Sequence, residues 1–156
     1  MSHFPLDVFQ TGSGTSSNMN ANEVIATLAS EIAGEEVNPN DHVNFGQSSN
    51  DVIPTTIHVS AAMSSKRKLI PALEALRDEI IQKADSVKGY SKTGRTHLMD
   101  AMPIRMDQSL LSWADQIDAG ISGVDRALTY VCTLGLGGTA VGTGTVSYTH
   151  LRAHET

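Results

Sequence analysis

The sequence predicts a mainly α-helical protein, a bundle of long helices. Apolar residues recur at helical spacing over three stretches. In the last of these, from Met106 to Val131, the steps of three and four residues come close to a heptad pattern. Aromatic residues make up only 4% of the 156 residues, so alanine and aliphatic side chains must fill the core, which favours close helix packing over a β-sandwich. The hydrophobic fraction of 40% is sufficient for such a core.

The first predicted helix follows a loop that covers residues 4–17. Gly34 is well placed to end this helix, because glycine adopts the left-handed conformation of a helix C-terminus. Residues 38–41 then read as a tight turn. The apolar residues at helical spacing are Val24, Ile25, Leu28, Ala29 and Ile32.

A long second helix is expected from about Asp51 to Val87. Pro54 falls in its predicted first turn, where proline is tolerated, whereas Pro71 lies inside the helix and predicts a kink or a break. Apolar residues recur along it at Ile57, Ala61, Leu69, Leu73, Leu76, Ile80 and Ala84.

A loop over residues 89–103 separates the second helix from the third, which is expected from Met106 to about Thr133. The glycine-rich segment 135–144 ends the third helix. The predicted packing stripe of this helix consists of Met106, Leu110, Trp113, Ile117, Ile121, Val124, Leu128 and Val131.

Charge and cysteine content exclude several classes of protein. The 11 basic and 17 acidic residues give a net charge of −6, which argues against nucleic-acid binding. A single cysteine, Cys132, excludes an internal disulfide and fits a reducing compartment such as the cytoplasm. We find no apolar run long enough to span a membrane and no secretory signal; a mitochondrial location of a longer parent protein stays open.

Three polar clusters next to the predicted helices carry the candidate chemistry: residues 12–18, 47–51 and 94–100. Hydroxyls, backbone amides and helix N-termini bind small anions such as carboxylates. Other interpretations stay open: a flexible surface loop for the first cluster and ordinary helix capping for the second. The first cluster lacks the Gly-Lys-Ser/Thr sequence of a P-loop.

Histidines supply the remaining candidates. His97 suits general acid–base work, although a hydrogen-bonded loop histidine is an open alternative. Structural roles are expected for His42 and His58. His150 and His154 have helical metal spacing, but no third ligand accompanies them, so no metal site is predicted.

The three clusters together resemble the class II fumarase/aspartase superfamily. Residues 12–23 (GSGTSSNMNANE) resemble its first signature, and residues 38–44 with 47–51 resemble the next. Residues 94–101 (GRTHLMDA) resemble the segment of the catalytic histidine. Fumarate hydratase is favoured within the superfamily, because His97 and Ser49 stand where aspartases tend to have Gln and Thr.

The resemblance implies a truncated bundle of the fumarase/aspartase type and a reversible anti addition of water to fumarate, giving (S)-malate. It implies a small dicarboxylate substrate, no cofactor, and a homotetramer whose active sites combine segments from several subunits. Residues 1–47 would belong to an N-terminal domain and residues 48–145 to the central helical bundle domain. Residues 146–156 are interpreted as a non-native tail.

The resemblance also implies roles for individual residues. His97 would be the catalytic proton donor and acceptor on the water side. Substrate binding would fall to Ser13, Gly14, Thr15, Ser48, Ser49, Asn50 and Thr96. A secondary carboxylate site would consist of Asn38, Pro39, Asn40 and Asp41, where the family usually has His in place of Asn38.

The superfamily's third signature, a Gly-Ser-Ser-type loop that supplies the base for the carbon-bound proton, does not occur in the 156 residues. The chain is therefore expected to be an internal fragment without activity of its own. Two alternatives remain: a related lyase such as aspartate ammonia-lyase, or a non-catalytic helical module that self-associates through residues 106–131.

Overall fold

The computed structural model describes residues 3–7, 9–10 and 12–145. The predicted mainly α-helical fold is confirmed for this part of the chain. The helices are α1 (Thr15–Ala33), α2 (Ser49–Ser64), α3 (Ile70–Ser86) and α4 (Met106–Val131), and the strands are β1 (Ser91–Thr96) and β2 (Met99–Arg105). Short turns of 3-10 or π type lie at Gly12–Gly14, Pro39–Val43 and Ser65–Leu69.

The chain forms two compact units. The terminal unit is drawn from Met1–Val59 and Thr133–Thr156, and the hairpin unit is Ser60–Cys132. The predicted domain division at residues 47 and 48 stays a prediction, because it concerns membership in the domains of a longer protein. The proposed tail, residues 146–156 with His150 and His154, lies outside the described residues.

The first helix ends where predicted and begins earlier. Gly34 caps the end of α1 at φ 73°, and its N–H donates to the Ser30 carbonyl at 2.9 Å. Residues 15–17, expected in a loop, form the first turn of α1. The chain enters the helix through Gly14 at φ 68°, a left-handed conformation that glycine adopts without steric cost.

The predicted second helix is present as α2 and α3, with a π-helical turn at Ser65–Leu69 between them. Pro71 lies in the first turn of α3. Proline lacks an N–H, and its ring clashes with the carbonyl four residues earlier, so the wider turn just before it relieves the clash. The kink or break predicted at Pro71 is represented by this π-helical irregularity just before the proline. Pro54, however, is the sixth residue of α2 and lies beyond the first turn, because the helix begins at Ser49.

In the hairpin unit, α3 packs against α4. Small and branched side chains of these helices are buried: Ala84 of α3 and Ala114 and Leu128 of α4 are 1%, 3% and 7% exposed. Alanine at such a contact lets two helices approach closely. The predicted packing stripe of α4 is only partly covered, since Trp113 and Met106 remain 55% and 43% exposed.

Most of the predicted loop 89–103 is a β-hairpin, so the loop prediction was wrong. β1 and β2 pair antiparallel, with Thr93 opposite Pro103 and a bulge between Thr93 and Arg95. Proline is tolerated because both strands of a two-stranded sheet are edges. A Cβ on Gly94, within the bulge, would lie 2.7 Å from the Met102 carbonyl oxygen, which explains the glycine.

An ion pair between a buried carboxylate and an exposed guanidinium marks the junction of β2 and α4. The carboxylate of Asp107, a residue only 1% exposed, accepts from the Arg105 guanidinium at 3.0 Å (Nε to Oδ1) and 3.1 Å (Nη2 to Oδ2). The guanidinium holds the pKa of Asp107 below its ordinary value of 3.8, and the carboxylate raises the pKa of Arg105. The Arg105 N–H also donates to Gln108 Oε1 at 3.0 Å, which closes the first turn of α4.

Replacing Asp107 by Asn should lower the free energy of unfolding at neutral pH. The pKa of Asp107 is lower in the native state than in the unfolded chain, so the charged carboxylate stabilises the native state fully above pH 3.8. This stabilisation is lost as the pH falls through the lowered native pKa. Urea unfolding at a series of pH values measures this, with Asp115→Asn, an exposed site on the same helix, as control. A difference from wild type that persists unchanged in acid would contradict the prediction.

Replacing Gly94 by Ala should lower the free energy of unfolding by about 2 kcal/mol, because the new methyl group overlaps a backbone oxygen. Gly89→Ala is the matched control, since a Cβ at Gly89 meets no atom within 4 Å. Urea unfolding followed by the fluorescence of Trp113 compares the two variants. Equal effects at both glycines would show that the bulge does not require glycine.

Candidate substrate-binding site

The start of α2 is a capping box built by the second polar cluster. Ser48 precedes the helix, and its hydroxyl accepts from the Asn50 N–H at 3.2 Å. In return, Asp51 Oδ1 accepts from the Ser48 N–H at 2.9 Å. Helix capping is therefore one role of this cluster, and it fixes the backbone that carries Ser48, Ser49 and Asn50.

The first polar cluster contacts the second through Asn18. This residue of α1 is 5% exposed, and its Nδ2 donates to Ser49 Oγ at 3.1 Å and to Asn44 Oδ1 at 3.4 Å. Asn44 Nδ2 in turn donates to the Gln47 carbonyl oxygen at 3.4 Å. The terminal unit thus brings two of the three predicted clusters together through hydrogen bonds of one buried amide.

The hydroxyls of Ser48 and Ser49 are both held as acceptors, one by the Asn50 N–H and the other by Asn18 Nδ2. A hydroxyl that accepts still has its own hydrogen to donate. Within residues 3–7, 9–10 and 12–145, neither hydrogen has an acceptor. Two oriented hydroxyl donors at a helix N-terminus can bind a carboxylate without any positive side chain.

The predicted residues of the first signature lie at the entrance to α1. A Cβ on Gly14 would meet the Ile53 side chain of α2 at 3.0 Å, so glycine allows close approach of these two helices. Thr15 is the first residue of α1 and is exposed. Ser13 belongs to the turn Gly12–Gly14, and its side chain is outside what the structure describes.

The proposed secondary carboxylate site is a π-helical turn, Pro39–Val43, in place of the tight turn predicted. Asn38 caps it: its Oδ1 accepts from the Asn40 N–H at 2.8 Å and from the Asp41 N–H at 3.0 Å. These two amides are donors that an anion at this turn would use. In the present conformation both amides donate to the side chain of Asn38.

Two further histidines have structural contacts. Nδ1 of His42 accepts from the Asn38 N–H at 3.0 Å, which completes the cap of the π-helical turn. Nδ1 of His58 lies 3.1 Å from the Thr133 carbonyl oxygen. Both arrangements agree with the structural roles expected from the sequence.

Thr96 and His97 lie in the hairpin unit, where Thr96 ends β1 and His97 begins the two-residue turn into β2. His97 and Leu98 have φ of 48° and 60°, the signs required at both central positions of a type I′ turn. Arg95 and Asp100 pair across the turn at 3.2 Å. The imidazole of His97 is exposed and has no hydrogen-bond partner within the described part of the chain, so it is accessible to a ligand.

Sequence reasoning gave Asp51 only a capping role and gave the glycine-rich segment only the role of ending a helix. In the structure, Asp51 Oδ2 accepts from the N–H groups of Gly137 and Thr139 at 3.0 and 2.8 Å. Thr139 is 4% exposed at φ 60°, a conformation that costs a β-branched residue about 1–3 kcal/mol. The Ser48-x-x-Asp51 pattern is a capping signal, but no sequence signal indicates the two long-range bonds.

Other kinds of site are not found among the residues that the structure describes. No group of three or more His, Cys, Asp and Glu residues there could hold a metal ion. Among the same residues, no helix is long and apolar enough to cross a membrane.

Comparison with known proteins assigns the family. Residues 1–154 match the family described as lyase. The chain belongs to this lyase family. The lyase chain is 62% identical over 144 residues to "Fumarate hydratase class II 2" of Pseudomonas aeruginosa, and this match covers 92% of the chain and 31% of the relative. It is 55% identical over 146 residues to "Fumarate hydratase class II" of Halobacterium salinarum, covering 90% of the chain and 31% of that relative.

Solved structures agree with the family assignment. The lyase chain superposes on class II fumarase from Schistosoma mansoni with a TM-score of 0.85 and 40% identity, over 99% of this chain and 36% of that one. The Brucella melitensis protein described as "fumarate lyase:delta crystallin" gives a TM-score of 0.82 at 39% identity, over 89% of this chain and 31% of that one. The resemblance indicated by the three motifs is thus confirmed, and the chain spans about a third of the length of these relatives.

Replacing Asn18 by Asp should lower the free energy of unfolding of the lyase chain by about 1–3 kcal/mol. The change removes a buried donor shared by Ser49 and Asn44 and introduces a buried charge. Asn50→Asp makes the same chemical change at an exposed position of a helix N-terminus, where a carboxylate is tolerated. Urea titration of both variants measures the effect, and equal stabilities would contradict the role given to Asn18.

Proposed function

We propose that this chain is part of a fumarate hydratase, which adds water reversibly and in anti geometry to fumarate, giving (S)-malate. The observation that carries the proposal is the pair of hydroxyl donors at the start of α2, Ser48 and Ser49. Fumarate and malate are dianions, and a chain of net charge −6 must bind them through local donors, not through its overall field. The 62% identity to a curated fumarate hydratase supports the same assignment.

In the proposed hydration, His97 accepts a proton from water while the water oxygen bonds to one alkene carbon of fumarate. The electron pair of the double bond moves to the other carbon and into its carboxylate, which becomes doubly charged. Hydrogen bonds from Ser48, Ser49 and Asn50 stabilise this charge. A proton then reaches that carbon from the Gly-Ser-Ser-type segment, which the 156 residues do not contain.

The remaining roles at the site are proposals of the same kind. Ser13 and Thr15 would bind a substrate carboxylate beside Gly14, and Thr96 would contact the substrate next to His97. No cofactor takes part in the proposed reaction. The turn that begins at Asn38 would bind a second carboxylate only if its amides exchanged the Asn38 side chain for the ligand.

We also propose that the complete protein is a homotetramer in a reducing compartment, the cytoplasm. The tetramer is supported by apolar side chains that remain on the surface of this chain, among them Ile57 at 61%, Leu76 at 51% and Trp113 at 55% exposure. A larger assembly would cover such side chains. The single cysteine, Cys132, supports the compartment.

A complete enzyme tests the proposal. Residues 3–145 of this chain replace the matching segment of the Pseudomonas aeruginosa relative, and the loss or gain of fumarate absorbance is followed. We expect turnover of fumarate and malate, and His97→Ala should lower kcat by about 10²–10⁴-fold, since it removes the group that accepts the proton from water. His3→Ala, an exposed histidine without a proposed role, is the control.

Two outcomes would contradict the proposal. Preference of the complete enzyme for aspartate would make it an ammonia-lyase, and unchanged kcat after His97→Ala would favour the helical self-association module. The 156-residue chain alone should show no turnover above its own His97→Ala variant. Clear activity of the chain alone would show that the Gly-Ser-Ser-type segment is not required.

A further inference from the structure

One carboxylate joins the start of α2 to the glycine-rich segment near the end of the described chain. Asp51 is 3% exposed. Its Oδ1 accepts from the Ser48 N–H at 2.9 Å, and its Oδ2 accepts from the N–H groups of Gly137 and Thr139 at 3.0 and 2.8 Å. Three charge-assisted hydrogen bonds therefore converge on a buried group, and two of them come from 86 and 88 residues away.

The glycine-rich segment is held in a costly conformation by these bonds. Thr139 is buried at φ 60°, and its hydroxyl has no hydrogen-bond partner in the described part of the chain. Gly137 is also left-handed, at φ 88°. The amides of residues 137 and 139 point at the same acceptor and form a small anion site, which the carboxylate of Asp51 fills in this chain.

The same carboxylate fixes the residue that begins the candidate substrate site. The Ser48 N–H donates to Asp51, while the Ser48 hydroxyl accepts from the Asn50 N–H. Movement of the Asp51 carboxylate would therefore change the direction of the Ser48 hydroxyl. Because Asp51, its three partners Ser48, Gly137 and Thr139, and Asn50 all belong to the terminal unit, this connection is complete within that unit.

We propose that Asp51 is a positioning residue for dicarboxylate binding: it anchors residues 137–139 to the start of α2 and thereby orients Ser48 toward the substrate. Asp51 does not contact the substrate. Three N–H dipoles point at its charge, and they reduce without cancelling its repulsion of the incoming dianion. The inference rests on the proposed function, since it concerns how that site is held.

The test is Asp51→Asn in the complete enzyme. The amide has one accepting oxygen in place of two, so its NH₂ group must face either the Ser48 N–H or the two amides of residues 137 and 139. We expect KM for malate to rise about tenfold, because binding of substrate is weakened in the ground state and the transition state alike. Asp115→Asn, which removes an exposed carboxylate from α4, should leave KM unchanged.

A purely structural role would give a different result. Asp51→Asn would then lower the melting temperature and the fraction of active enzyme, while the surviving enzyme would keep the wild-type KM. An unchanged KM overturns the proposal, and a raised KM supports it. If the complete enzyme turns over aspartate and not malate, the proposed function fails, and KM for aspartate still decides the role of Asp51.

A measurement on the unmutated enzyme applies even if Asp51→Asn does not fold. Hydrogen exchange of the Gly137 and Thr139 amides is followed with and without saturating malate. If Asp51 couples these amides to the substrate site, malate should slow their exchange, although neither is proposed to contact it. Exchange that is unchanged by malate overturns the proposal.

Discussion

The terminal unit depends on the way in which the buried carboxylate of Asp51 is satisfied. Its oxygens accept from Ser48, Gly137 and Thr139, and each of these N–H groups would otherwise lack a helical or strand partner. A buried charge is tolerated only when it is paired or hydrogen-bonded, so the helix start and the glycine-rich segment must be in place together. The cost of the left-handed Thr139 is offset by these bonds.

The hairpin unit also has a buried, hydrogen-bonded carboxylate, which lies at the start of its longest helix, α4. Asp107 is buried and is satisfied by the guanidinium of Arg105, the last residue of β2. Further along, Arg77 of α3 pairs with Asp118 of α4 at 2.8 Å, although these two groups are partly exposed and contribute little. The hairpin that carries His97 is thereby joined to α4 by an ion pair whose carboxylate is buried. Each unit thus has one buried carboxylate at the start of a helix.

Local features of the fold could be predicted from the sequence. Gly34 ends α1 and Pro71 follows an irregular turn, because both residues act on the backbone directly. The hairpin could not be predicted in this way. Gly94 and Pro103 are residue types that disfavour strands. The hairpin accommodates Gly94 at a bulge and Pro103 in an edge strand, and both features depend on how the two strands pair. The starts of α1 and α2 were also misplaced, since the polar residues there extend the helices by a turn or less.

The sequence by itself determined the lyase family and the helical fold and led to the prediction of the site residues, because motif spacing and apolar periodicity are local properties of the chain. Only the tertiary structure decided how those residues are held. The Asn18 amide donates to Ser49, which is 31 positions away in the sequence, and the Thr139 N–H donates to Asp51, which is 88 positions away. A hydrogen bond requires two groups within about 3 Å, and sequence spacing does not state which distant groups meet that distance. The hydrogen bonds that hold Ser48 and Ser49 at the start of α2 therefore became evident only in the folded chain.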